Sequence, residues 1–378
     1  MSTTVCLTAR TLHYLEGGGG HLWVYLNWAL GLRANGVRVI WMEAPSPEAP
    51  PAWVADRTRL LAEYLEPYGL ADSIALCSWT GAPLPEDAMQ NCLDLDAAAE
   101  ADLLLNIAYG IPDEAVARFR RSALLDIDPG LLQTWVSKGD VHLAEHDVYF
   151  SIGETVGRPE ARFPDLGVRW QYSPPCVSLD AWPVTPSEPD APFTTITHWA
   201  GNEWMADEEG LYSNDKRAGF EPYFDLPSRT RQPLELAVCL DDHQQEEWDM
   251  LRARGWRLRH AWDVSYTPPR YRDYVQSARG EFSCVKPSCV RFQNAWISDR
   301  TLCFLASGKP AVVEHTGPSR FLPDDSGLLR FRDVDEAVTL LERVSEDYEG
   351  QCRSARALAE EHFDASKVAK SLLERALS

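Results

Sequence analysis

Short apolar runs of strand length recur along the first half of the chain: Val5-Cys6-Leu7, Val37 to Met42, Ile74 to Cys77, Leu103 to Ile107, Ala123 to Ile127 and Val148 to Ile152. Runs without polar alternation predict strands buried on both faces. Helix-period stretches separate them. In His21 to Arg33, the residues Leu22, Tyr25, Leu26, Ala29 and Leu30 fall on one face, and Asn35-Gly36 ends the helix. Ala52 to Tyr68, Asp113 to Arg121 and Gly130 to Lys138 also fit helices. Strands and helices in alternation predict a parallel sheet covered on both faces.

The alternation resumes after a proline-rich stretch. Pro174, Pro175, Pro183, Pro186, Pro189 and Pro192 stand among acidic and small residues. That composition resists helix and sheet, and is expected to run extended as a hinge between two domains. Beyond it, Phe193 to Thr197, Leu234 to Cys239 and Trp256 to Arg259 read as strands. Tyr271 to Ala278, Val334 to Val344, Gln351 to Phe363 and Ala365 to Leu377 read as helices.

The stretch Glu281 to Gly317 organises this second half. A strand, Phe282 to Val285, ends in Lys286-Pro287-Ser288, and a loop follows. Ser298-Asp299 suits a helix start, because a short side-chain oxygen caps free backbone N–H groups. Leu302, Leu305 and Ala306 share one face of a helix from Arg300 to Ala306, which Ser307-Gly308-Lys309-Pro310 stops. Ala311 to Val313 is then a buried strand. Strand, helix and strand form one βαβ unit, and ligands of open α/β sheets sit outside the carboxyl ends of such strands.

Composition narrows the picture. A chain of 378 residues, 45% hydrophobic and 10% aromatic, has material for two domains, each with its own core. Its formal net charge of −21 argues against a nucleic-acid polymer or an anionic membrane surface as partner. An anionic small ligand would need local donors such as helix N-termini, Arg or Lys. The nine cysteines are scattered, with no C-x-x-C and none beside a His at zinc spacing, and read as buried reduced thiols. No basic segment followed by an apolar run marks a signal peptide, and no apolar stretch approaches the roughly 20 residues that span a bilayer. A cytoplasmic location is expected. Gly17 to Gly20 lead into the first helix without the G-x-G-x-x-G spacing of a dinucleotide fingerprint. They read either as a turn or as a place where backbone approaches a ligand closely.

The order Lys286-Pro287-Ser288, Arg300 to Ser307, then Gly308-Lys309-Pro310-Ala311-Val312-Val313 resembles the donor-sugar half of bacterial GT-B glycosyltransferases of the "glycosyl transferases group 1" type. The wider chain resembles a less studied branch of that group. The resemblance runs through Asp126-Ile127-Asp128-Pro129-Gly130, Ser151-Ile152-Gly153-Glu154, Leu179-Asp180-Ala181-Trp182-Pro183, Asp225-Leu226-Pro227 and Arg279-Gly280-Glu281-Phe282-Ser283. It implies an α/β, GT-B fold of two Rossmann-like β/α/β domains facing each other across a cleft. Residues 1–175 would form the acceptor domain, 176–192 the linker and 193–360 the nucleotide-sugar donor domain, with 361–378 a helix crossing back. The implied reaction moves a hexosyl or deoxyhexosyl group from a nucleotide sugar to a small-molecule or glycan acceptor, without metal or other cofactor. One departure stands out: the paired glutamates of the better-known members fall here on Ala295 and Cys303.

The chemistry requires a developing diphosphate charge to be neutralised. The start of the Ser298-Asp299-Arg300 helix offers N–H groups and a guanidinium for this, with Lys286 a second cation and Asp299 a hydroxyl acceptor. The resemblance adds Trp199 and Asn202 after the first strand of the donor domain, Trp199 reading equally as a ring packed on the sugar or base and as a core side chain, with Ser283, Glu314 and Thr316 at later strand ends, and Gly18, Gly19 and Gly20 as a loop near the sugar or acceptor. An inverting reaction would need a general base, for which His21, His13 and Asp128 are candidates. The pair Asp126 and Asp128 also reads as a metal ligand or a turn cap. Two other readings stay open: a nucleotide-sugar epimerase of the same fold, and a catalytically silent partner or activator protein.

Overall fold

A computed structural model describes residues 3–201, 203–208, 210–240 and 244–378. The chain divides into two compact units. Met1–Pro159, Phe163–Ser178 and Asp364–Ser378 form the first, and Glu160–Arg162 with Leu179–Phe363 the second.

The first unit is built on seven strands: β1 (Thr4–Thr8), β2 (Arg38–Glu43), β3 (Ile74–Leu76), β4 (Leu103–Asn106), β5 (Ser122–Asp126), β6 (Val148–Ser151) and β7 (Trp170–Tyr172). They lie in the order β3-β2-β1-β4-β5-β6-β7, all parallel. Val5 pairs with Val39 on one side and Leu103 on the other. Leu103 to Asn106 and Ser122 to Asp126 are buried along their whole length, which is why these strands read as unbroken apolar runs. The strand order turns at β1 and β4. The helix Gly19–Ala34 belongs to this unit, and the last helix, Ala365–Ala376, packs against it.

The second unit repeats the plan with β8 (Phe193–His198), β9 (Trp204–Asp207), β10 (Gly210–Ser213), β11 (Leu234–Cys239), β12 (Arg257–His260), β13 (Gly280–Ser283), β14 (Ala311–Glu314), β15 (Asp325–Ser326) and β16 (Leu328–Phe331). Its sheet runs β12-β11-β8-β13-β14-β16-β15, parallel except for β15, while β9 and β10 form a separate antiparallel hairpin. The order turns at β8 and β13. Phe193, Phe220, Tyr223, Trp256, Phe282 and Phe331 dominate its core.

Several elements differ from the sequence expectation. The helix expected over Asp113 to Arg121 is a single turn, Asp113–Val116. The loop expected after Pro287 is a helix, Pro287–Phe292. The hairpin and β7 carry too few alternating positions to be seen, and the buried strand β16 has its short apolar run broken by Arg330. Part of the proline-rich stretch does not run free: Trp182 is fully buried, Thr185 N–H donates to the Ser307 carbonyl (3.2 Å), and Lys309 Nζ donates to the Pro186 carbonyl (2.9 Å). The chain passes between units at Ser178 and Leu179, within that stretch. Among the described residues, no helix is long and apolar enough to cross a membrane.

Gly31 faces the last helix so closely that a Cβ there would overlap the Ala365 carbonyl. Gly31→Ala should therefore lower stability by about 1–3 kcal/mol through overpacking, seen as a lower thermal unfolding midpoint.

Candidate functional site

The carboxyl ends of β8 and β13 flank the point where the second sheet reverses its order, the position at which such sheets bind ligands. Arg300, in the first turn of the helix Asp299–Ala306, reaches across both strands. Its Nε donates to Glu281 Oε1 (2.7 Å), one Nη to the Ile196 carbonyl (2.9 Å), and the other to Ser283 Oγ (2.6 Å). Glu281 has no exposed surface, so the guanidinium is the counter-ion that makes its burial tolerable.

Lys216 stands beside Arg300. It opens the short helix Lys216–Phe220, which Asp215 caps by accepting from Ala218 N–H (2.8 Å). That helix lies against the loop after β13, since a Cβ on Gly219 would overlap the Val285 carbonyl. Lys216 Nζ donates to the Cys284 carbonyl (2.8 Å). Burial first, and then the neighbouring Arg300 charge, push its ammonium down to about 8. A cavity of about 340 Å³ opens at this point, bordered by Ile196, Gly201, Glu203, Asn214, Lys216 and Arg300 among others. A smaller cavity, of about 20 Å³, shares Lys216 and Arg300 and is closed by Ser298, Trp296, Glu314 and Arg330.

Lys216 was not singled out by sequence reasoning, because a lysine in a short helix reads as a solvated side chain. The available signal was Gly219, a glycine inside a helical run, which marks a close backbone approach.

Other expected donor residues take varied places. Ser283 is buried and bonded to Arg300. Ser298 precedes its helix but makes no side-chain capping bond, contrary to the expected cap. Asp299 is the first helical residue and is partly buried. Lys286 Nζ pairs with Glu203 Oε2 (2.6 Å), so its charge is already matched. Glu314 accepts from Val285 N–H (2.9 Å) and the Tyr223 hydroxyl (3.3 Å), and burial raises its carboxyl. Thr316 donates to the Trp296 carbonyl (2.6 Å), fixing the loop before the helix. Trp199 borders the larger cavity, but its side chain is fully buried against Phe220 and Phe224, with Nε1 donating to Glu247 (3.1 Å), so of its two readings the packing matches a core side chain. Asn202 lies outside the described residues. Ala295 and Cys303 are both buried.

In the first unit, a cavity of about 300 Å³ opens where β1 and β4 diverge, bordered by Thr8, Arg10, Met42, Pro45, Trp79 and Ile111 among others. His13, His21 and Asp128 are not among the described residues that border it. His21 Nε2 lies 2.9 Å from the Arg10 carbonyl and therefore carries the proton that bonds it. Its ring packs on Tyr14 and Tyr25, and burial lowers its basicity. His13 is exposed and packs on Trp53. Gly18 precedes the helix Gly19–Ala34, where a Cβ would overlap the Tyr14 carbonyl, and Gly19 and Gly20 form its first turn.

Asp126 and Asp128 do not present a matched pair. β5 ends at Asp126, so strand alternation no longer applies two residues on. Asp126 is fully buried and accepts from Gln133 Nε2 (2.8 Å), Ser151 Oγ (2.7 Å) and Asp128 N–H (3.0 Å), and burial pushes its carboxyl up to about 7. Asp128 instead accepts from the Tyr109 hydroxyl (3.0 Å), which itself accepts from Ile127 N–H (2.9 Å) and Asp128 N–H (3.0 Å). Tyr109 holds a positive φ of 60° to make these bonds. Among the described residues, no group of three or more His, Cys, Asp or Glu side chains is placed to hold a metal ion.

Two parallel-sheet α/β units with this strand order define a GT-B fold. Comparison with solved structures agrees. The chain is similar to an alpha-glucosyltransferase solved with UDP and a 13-mer DNA, at 13% identity and TM-score 0.58, covering 100% of both chains. It is similar to AviGT4, a glycosyltransferase involved in avilamycin A biosynthesis, at 13% identity and TM-score 0.56, covering 99% of this chain and 97% of that one. It is also similar to HepE from Anabaena, solved with UDP and glucose, at 11% identity and TM-score 0.54, covering 99% of each chain. No family model matches the sequence, and no curated protein does.

Between about pH 4 and pH 7, the folded chain keeps a proton on Asp126 that the unfolded chain releases. Stability contributed by this group is present at low pH and is lost as pH rises through that window. Thermal unfolding followed from pH 4.5 to pH 7.5 should show a flatter pH dependence in Asp126→Asn than in the natural protein. An unchanged slope would mean that Asp126 titrates near its ordinary value.

Proposed function

We propose that the chain is a glycosyltransferase that takes its sugar from a nucleotide-activated donor bound by the second unit. One observation carries this reading: Lys216 and Arg300 stand together at the sheet's reversal point, desolvated, with their mutual repulsion only partly offset by Glu281. A diphosphate relieves that repulsion. The nucleotide and nucleotide-sugar ligands of HepE, a protein of the same fold, support the same ligand class.

Transfer breaks the bond between the anomeric carbon and the distal phosphate oxygen, and negative charge collects on that oxygen as the sugar becomes oxocarbenium-like. Lys216 supplies an ammonium to it, and Arg300 a guanidinium whose geometry is fixed by three hydrogen bonds. These are preorganised charges that need no rearrangement as the bond breaks. Metal-independent transfer is the corresponding reading, with hexosyl or deoxyhexosyl groups as cargo. The overall charge of −21 favours a small-molecule or glycan acceptor over a polyanion, and a cytoplasmic setting fits cysteines that form no disulfide among the described residues. Should the reaction invert configuration, Asp128 is the base best prepared for it, since the Tyr109 hydroxyl holds its carboxylate in place, whereas His21 spends its Nε2 proton on Arg10.

The silent-partner reading retains one supporting observation, the apolar packing of Ala295 and Cys303 where the family glutamates would stand. Turnover separates the two.

Thermal-shift titration with UDP, GDP, dTDP, CDP and ADP should give one clear stabilising nucleotide, because a ligand of the folded state raises the midpoint by mass action. Lys216→Met should weaken that nucleotide by about tenfold or more. Arg300→Ala is a poorer test, as it strands the Glu281 charge and costs about 3–5 kcal/mol of stability. Affinity in the natural protein should fall as pH rises through about 8, where Lys216 loses its proton, and the Lys216→Met variant should lose that dependence. A panel without any stabilising nucleotide would overturn the assignment.

A further inference from the structure

The hairpin β9–β10 leaves the sheet soon after β8 and returns just before the helix that carries Lys216. Its two feet are Glu203 and Asn214. Asn214 N–H donates to the Glu203 carbonyl (2.8 Å), continuing the ladder one step beyond Trp204 and Ser213 and setting the two residues side by side. Asn214 is fully buried, and its Oδ1 accepts from Ser288 N–H (3.0 Å). Among the described residues, its amide nitrogen has no hydrogen-bond partner, and neither has Glu203 Oε1, although both atoms are shielded from solvent. The other Glu203 oxygen is taken by Lys286. Glu203, Asn214 and Lys286 all border the cavity that Lys216 and Arg300 border.

Buried polar atoms of native proteins are almost always satisfied, so an unpartnered acceptor and an unpartnered donor on two paired residues that border one cavity call for a ligand that offers both. A phosphate does not fit, because it donates nothing to Glu203 and meets a carboxylate. Lys286 cannot act as its counter-charge while paired to that same carboxylate. A hydroxyl both donates and accepts. Two neighbouring hydroxyls on a neutral sugar ring satisfy the pair, one donating to Glu203 Oε1 and the next accepting from Asn214 Nδ2.

We propose that the feet of this hairpin form the donor's sugar subsite and select a neutral pyranose by a vicinal hydroxyl pair. The inference rests on the nucleotide-sugar reading of the cavity and deepens it. It also accounts for the departure at Ala295 and Cys303. Both are buried at 4% and 1% exposure, so a carboxylate for sugar hydroxyls has to come from another element, and Glu203 provides one.

Calorimetric titration tests this with UDP, GDP and dTDP and with their glucose, galactose and mannose conjugates. In the natural protein, the preferred conjugate should bind at least about tenfold more tightly than its bare diphosphate. Glu203→Gln leaves one oxygen for Lys286 and puts an N–H donor in place of the open acceptor. Asn214→Asp removes the donor but keeps the oxygen that Ser288 needs. Each variant should erase most of the conjugate's advantage while leaving affinity for the bare diphosphate within about twofold, which also shows that the variant is folded. Equal losses for both ligands, or no loss, would overturn the subsite. A bare diphosphate that binds the natural protein while no conjugate improves on it would overturn the subsite alone and leave the nucleotide reading standing. If no diphosphate binds, both readings fall together.

Discussion

The ion pair between Arg300 and Glu281 is the interaction on which the second unit's site depends. Glu281 sits on β13 with no exposed surface, Arg300 begins a helix that follows in sequence, and the Ile196 carbonyl belongs to β8. One guanidinium thus ties the two central strands and a covering helix together at the place where the sheet reverses. Removing either partner would leave an uncompensated charge in the interior, a loss of about 3–5 kcal/mol in comparable cases. The pair is therefore structural, and yet it also places a cation on a ligand cavity. Under the proposed function, structure and chemistry use the same side chain.

Lys216 depends on that frame through backbone contacts. Its helix approaches the loop after β13 because Gly219 has no Cβ, and its ammonium then rests on the Cys284 carbonyl. Crowding a lysine against Arg300 in a partly desolvated position lowers its affinity for its own proton, a cost that an anionic ligand offsets. The hairpin feet Glu203 and Asn214 hang from the same region. The cavity's wall thus combines paired cations with a donor–acceptor pair, which matches a ligand that is anionic at one end and hydroxylated at the other.

Much of the fold was legible in the sequence. The apolar runs at Leu103 to Ile107 and Ala123 to Ile127 are strands because both faces of a parallel sheet are covered, which leaves no reason for polar alternation. The helix after Asp299 and its stop at Gly308, where φ is 69°, were also visible as local chemistry. The hairpin was not, since Trp204 to Ser213 carries polar and apolar residues without a firm period. Trp199 looked able to meet a ligand because a tryptophan near a glycine loop fits either a core or a surface equally well. Only the aromatic neighbours Phe220 and Phe224, contributed from further along the chain, decide it.

By itself, then, the sequence determined most of the long strands and helices, that the chain builds two α/β units, and which strand ends could meet a ligand. These depend on local periodicity, capping and glycine chemistry, all encoded within a few residues. The tertiary structure alone decided which charges stand together. Lys216 and Arg300 are far apart in sequence, as are Glu43 and the Thr11 amide it accepts from (2.9 Å). Whether a lysine is solvated or crowded, and whether a carboxylate is paired or open, depends on distances across the fold that no local pattern records.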